Sequence, residues 1–201
     1  MFRFSLGHCR IRLHFSFFAL MAFYNLFAGM ENGGLTLLSI FLHECAHLTA
    51  MILCGAFPRE ILVSAFGMEI ILPETAVLTY RQNMAISLSG PLLNFMLALA
   101  ADLFAVKAFA GINLVLGCIH ILPIEPLDGG LALKSLLTGK LGADKAGKIC
   151  FFVSLLFLFP VAVLGFMLLI YSKNNFSLLL LALYLIFYLL FKRDGGPIRS
   201  L

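Results

Sequence analysis

Residues 35–53 read LTLLSIFLHECAHLTAMIL, nineteen positions of mostly apolar side chains interrupted at His43, Glu44 and His47. The length and apolarity suit a helix that crosses a bilayer. The three ionisable groups do not, because such residues are costly in lipid and by default mark a functional site. On a helix, positions i and i+4 share a face, so His43 and His47 can present two imidazoles to one metal ion. Glu44 follows the first of them, where a carboxylate can act as base in zinc-assisted hydrolysis. The alternative is that the histidines merely hydrogen-bond a neighbouring helix. Three ionisable groups within five residues of an apolar span weigh against it.

The rest of the chain repeats the apolar pattern. Of its 201 residues, 62% are hydrophobic and 12% charged, and the mean hydropathy is +1.04. One soluble core cannot hide that surplus, and 21 Phe exclude intrinsic disorder. Five Cys without regular spacing argue against a disulfide-stapled module or a metal cluster. The net charge of +4 is spread between apolar segments rather than gathered on one stretch, so nucleic acid is not an expected partner.

Six spans are expected: Leu13–Met30, Leu35–Leu53, Ala85–Phe109, Ile112 to about Leu137, Ile149–Tyr171 and Phe176–Phe191. The first follows Arg3, Arg10 and Arg12 but no small-x-small cleavage site, and reads as a retained helix rather than a signal peptide. The fourth is broken by Pro123, Pro126, Gly129 and Gly130. With the N-terminus in the cytoplasm, all Lys and Arg except Lys107 and Lys173 fall on the cytoplasmic side. That bias, with the even number of spans, puts both termini in the cytoplasm. Residues 43–47 would then lie ~15 Å below the cytoplasmic surface.

Two stretches do not read as helix. Within 55–80, PREILVSAFGMEIILPETAVL has two β-branched runs around Phe66-Gly67, the pattern of a hairpin. Residues 2–15 alternate crudely and suggest a short interfacial strand. The expected fold is therefore an all-α polytopic membrane protein with a small membrane-associated β-hairpin region, residues 1–201 forming one domain.

Two histidines leave a catalytic zinc site one protein ligand short. Asp128, Glu125 and Asp102 are the candidates, and Asp128 is favoured because it adjoins the glycines of PLDGG. Asn94 reads as an interhelical hydrogen-bonding or substrate-clamping residue, and Asp102 as a partner of Lys107.

HECAH in one span, Ser89-Gly90-Pro91-Leu92-Leu93-Asn94 opening the next and PLDGG further on together resemble the site-2 protease family of intramembrane zinc metalloproteases. The resemblance covers roughly residues 1–150 and is nearest the compact prokaryotic branch with six transmembrane segments, that of the sporulation protease that processes pro-sigma-K. It implies Zn²⁺ held by His43, His47 and Asp128, with Glu44 as catalytic base. It further implies a substrate that is a membrane protein with a transmembrane or membrane-proximal segment, captured as an added strand by the 55–80 region. The expected location is the prokaryotic cell membrane, with a regulatory membrane protein as a further candidate partner. The nucleotide-binding CBS domain that this branch often adds is not expected. His120 stands where the family commonly has Asn and, with Asn94, is a candidate for substrate binding. A metal-ion transporter would more naturally show several ligand clusters or a repeated half. A proteolytically inactive scaffold would have little use for an intact HExxH.

Overall fold

The computed structural model describes residues 2–6, 9–15, 30–64, 67–73, 77–172 and 177–194. Two strands open the chain, β1 (Phe2–Leu6) and β2 (Cys9–Leu13). Helix α1 (Met30–Leu53) follows, then β3 (Glu60–Ser64) and β4 (Gly67–Ile71). The remaining elements are helical: α2 (Tyr80–Leu103), α3 (Lys107–His120), α4 (Asp128–Leu141), α5 (Ala143–Ser172) and α6 (Ser177–Asp194). Most of the expected first span, residues 16–29, lies outside the described residues.

Among the described residues, three helical stretches are long and apolar enough to cross a membrane: Asn32–Leu53, Tyr80–Leu103 and Ala143–Tyr171. Lys107–His120 and Leu178–Leu190 are shorter apolar helices. The outward faces are apolar; on α5, Phe152 is 68% and Phe159 72% exposed. Rings presented outward in this number call for lipid rather than water around them.

The expected hairpin in 55–80 forms, with β3 antiparallel to β4 and Ile61 opposite Ile70. The N-terminal segment goes further than one strand. It is itself an antiparallel pair, and β2 joins β3 in parallel, with Ile11 opposite Ile61. The result is a four-stranded sheet in the order β1-β2-β3-β4. Arg12 and Glu60 form an ion pair across the parallel junction. The sheet is tied to the helices where Ile70 and Leu72 pack on a buried cluster of Met51, Ala56 and Ile86.

Buried polar pairs join the helices. Asn113 of α3 donates through Nδ2 to Ser39 Oγ of α1 at 2.9 Å, both residues being fully buried. Lipid tails offer no competing partner, so such a bond persists as interhelical glue. At the start of α2, Thr79 and Gln82 form a reciprocal capping box.

The expected third span ends early, at Leu103, and Ala105 takes a positive φ of 59° before α3 begins. The expected fourth span is two helices of 14 residues, α3 and α4, separated by residues 121–127. The prolines prevent continuous helix, and the glycines allow the chain to close back on itself. A Cβ on Gly129 would lie 2.6 Å from the Leu122 carbonyl oxygen, and one on Gly130 2.5 Å from that of Ile124. The connecting segment thus packs directly on the first turn of α4. It is anchored from behind by α5 and α6, since Ile124 and Leu127 are buried with Leu158, Ala182, Leu185 and Leu189.

Candidate metal centre

Helix α1 carries His43 and His47 one turn apart on its inward face, 2% and 8% exposed. Their Nε2 atoms approach to 3.1 Å with the rings edge to face. The folded-back loop delivers Asp128 as the first residue of α4. Its Oδ2 lies 3.1 Å from His43 Nε2 and its Oδ1 3.5 Å from His47 Nε2. One donor atom from each residue fits within a 4.8 Å span, so the three could hold one metal ion.

The donor set and spacing fit zinc. Ligands of a tetrahedral zinc ion at about 2.0–2.2 Å stand roughly 3.3–3.6 Å apart, close to the 3.1, 3.1 and 3.5 Å separations here. Gly90 of α2 leaves the room. A Cβ there would lie 2.7 Å from His43 Nε2 and closer still to His47 Nε2. Helix α2 therefore faces the two imidazoles with a bare backbone, and any larger residue would press on their metal-facing nitrogens.

Each of the three residues has its own outer partner. His47 Nδ1 donates to the Ile86 carbonyl at 2.7 Å, which leaves Nε2 with its lone pair toward the cluster. Ser89 Oγ lies 3.4 Å from the same Nδ1 and donates to the same carbonyl. His43 Nδ1 faces the Asn94 amide at 2.9 Å. Asp128 Oδ2 pairs with His120 Nδ1 at 2.7 Å, and the His120 ring sits 4.4 Å from that of His43. Glu44 is half-buried on the same turn, within electrostatic reach of His47, Asp128 and His120.

The residues singled out in the sequence divide clearly. His43, His47 and Asp128 converge, Glu44 adjoins them, and Asn94 and His120 touch the ligand candidates directly. Glu125 points elsewhere. It is buried toward α5, where its backbone N–H donates to Ser154 Oγ at 3.0 Å, and Lys134 Nζ lies 3.5 Å from its Oε1. Asp102 pairs with Lys107 at 2.6 Å at the exposed far end of α2. The Ile86 carbonyl escapes sequence reasoning, and Ser89 and Gly90 stand out there only as parts of a motif, without the hydrogen bond of the one or the space left by the other. A backbone acceptor and a missing side chain leave no chemical signature in a sequence.

No protein-family profile matches the chain. Stage IV sporulation protein FB of Bacillus subtilis (strain 168) is 27% identical over 130 residues, which cover 60% of this chain. The match spans only 45% of that protein's length. The site-2 protease from Methanocaldococcus jannaschii superposes with a TM-score of 0.68 at 21% identity, covering 100% of this chain and 98% of the other. The fold is thus shared along the whole chain, and with its apolar helices this is an integral membrane protein.

Proposed function

We propose that this chain, built on the fold of a site-2 protease, is an intramembrane zinc metalloprotease that hydrolyses peptide bonds in or near transmembrane segments of membrane proteins. One observation carries the reading: an HExxH pair on a membrane-crossing helix meets a carboxylate from a separate helix at metal-ligand spacing. His43, His47 and Asp128 would hold Zn²⁺, which supplies Lewis acidity toward the scissile carbonyl and acidifies water.

The chain's own residues do the rest. Glu44 takes the proton of the attacking water as the C–O bond forms, and returns it to the leaving amine as the C–N bond breaks. His120, in contact with Asp128 and 30% exposed at its side chain, would contact the substrate, a role its exposure supports. Strand β4 is the last in the sheet order, so its outer edge can take an extended peptide by main-chain hydrogen bonds. The packing of Ile70 and Leu72 on the cluster of Met51, Ala56 and Ile86 ties β4 to α1 and α2, the helices that carry His43, His47 and Asn94, which supports this reading. In this reading residues 1–201 act as a single domain of the prokaryotic cell membrane with both termini cytoplasmic, with a second membrane protein as a candidate regulator.

The test is cleavage of a panel of single-span reporter proteins by the detergent-purified chain. Cleavage abolished by a chelator and restored by Zn²⁺ supports the protease. Zinc binding without cleavage of any reporter would favour an inert scaffold or a transporter.

A further inference from the structure

We infer that Asn94 is a positioning residue that turns its amide oxygen to the Nδ1–H of His43 and so holds that imidazole with its Nε2 lone pair on the metal. The inference rests on the metal site proposed above. Asn94 sits on α2 four residues after Gly90, so the same helix face that clears space for the imidazoles also presents an amide to one of them. Asn94 is 0% exposed, and its nitrogen faces His43 Nδ1 at 2.9 Å while its Oδ1 is buried without a hydrogen-bond partner among the described residues.

The amide nitrogen at 2.9 Å can only donate, so this pose pairs with the tautomer that carries its proton on Nε2, the atom 3.1 Å from Asp128 Oδ2. An ion needs the Nε2 lone pair, so the ring proton must then reside on Nδ1 and the group facing it must be an acceptor. A half-turn of the amide exchanges nitrogen for oxygen, two atoms of nearly equal size, and brings the unpartnered Oδ1 to Nδ1. His47 needs no such device, because the Ile86 carbonyl can only accept. Asn94 thus does for His43 what a main-chain carbonyl does for His47, and it does so across a helix interface.

Two substitutions separate this role from packing and from substrate binding. Asn94→Leu keeps the volume and removes the acceptor, whereas Asn94→Asp supplies an acceptor of the same shape. Zinc affinity of the purified full chain is measured by competition with a chromophoric chelator, and the Co²⁺-loaded forms are compared by visible absorption. Losing an outer partner costs about 10–100-fold in metal affinity. Asn94→Leu should fall by that factor with a perturbed Co²⁺ spectrum, while Asn94→Asp stays within about threefold of wild type with its spectrum intact. Wild-type affinity in Asn94→Leu would overturn the role. Equal losses in both variants, with equally lowered thermal midpoints, would overturn it in favour of packing. A raised KM with unchanged zinc affinity would overturn it in favour of substrate binding. A wild-type chain that binds no zinc would instead fail the metal site itself, an outcome distinct from all of these.

Discussion

Replacing Gly90 with alanine adds one methyl group to the face of α2 that looks into the metal cluster. The new Cβ would stand 2.7 Å from both Nε2 and Cε1 of His43, and nearer still to His47 Nε2. Ordinary carbon contacts begin at about 3.4–3.5 Å, so His43 must retreat by roughly 0.7 Å and His47 by more. Neither ring can retreat freely, because Ile86 holds the back of one and Asn94 the back of the other. Stability should fall by no more than about 2.5 kcal/mol: overpacking costs about 1–3 kcal/mol, partly offset by the ~0.5–1 kcal/mol that Ala gains over Gly in a helix. Turnover should fall as well, and in protein that is still folded, since a misplacement near 1 Å costs about 10²-fold in rate. Zinc content, reporter cleavage and the thermal midpoint would be measured together, with Gly111→Ala as control, because a Cβ on Gly111 meets nothing within 4 Å. Gly111→Ala should be neutral or slightly stabilising and fully active. Gly90→Ala with wild-type zinc and turnover would show that the imidazoles are not confined as described.

Asp128→Asn should lose zinc by more than the about 10–100-fold that removal of an outer partner costs, and activity with it. Near-wild-type zinc content by atomic absorption would move the third ligand elsewhere. For the buried Ser39–Asn113 pair, a double-mutant cycle on unfolding should give a coupling of about 0.6 kcal/mol, the average for such bonds in membranes. Zero coupling would remove the pair from what holds α1 to α3. A single cysteine introduced at Lys145 should react with a membrane-impermeant thiol reagent only from the cytoplasmic side, and labelling from outside would reverse the proposed orientation.

Local spacing carried much of this fold and site. His43 and His47 lie four residues apart, so helical periodicity alone puts them on one face. The runs on either side of Phe66-Gly67 announce a hairpin because strand alternation is also local. What depends on distant pairing was less legible. The parallel register of β2 with β3 joins residues about fifty positions apart, and nothing in either run names its partner. Asp128 and Glu125 are carboxylates of one broken stretch, and the sequence favours Asp128 only for its place beside the glycines. Only the fold-back of the loop onto Gly129 and Gly130 aims the first at the imidazoles, while Glu125 is buried against Ser154. The prolines of residues 121–127 marked an interruption correctly, but not that the apolar stretch becomes two short helices. Asn94 reads as an interhelical hydrogen-bonding or substrate-clamping residue and His120 as one for substrate, and their contacts with His43 and Asp128 appear only once α2 and α3 are packed against α1.

Zinc quantification of detergent-purified wild type and Glu44→Gln, run beside reporter cleavage, bears on the metalloprotease reading before anything else. One zinc per chain is expected in both proteins, with turnover lower by about 10²–10⁴-fold in Glu44→Gln, as loss of a general base requires. Equal cleavage by the two proteins would remove Glu44 from the chemistry, and absence of zinc from both would remove the site.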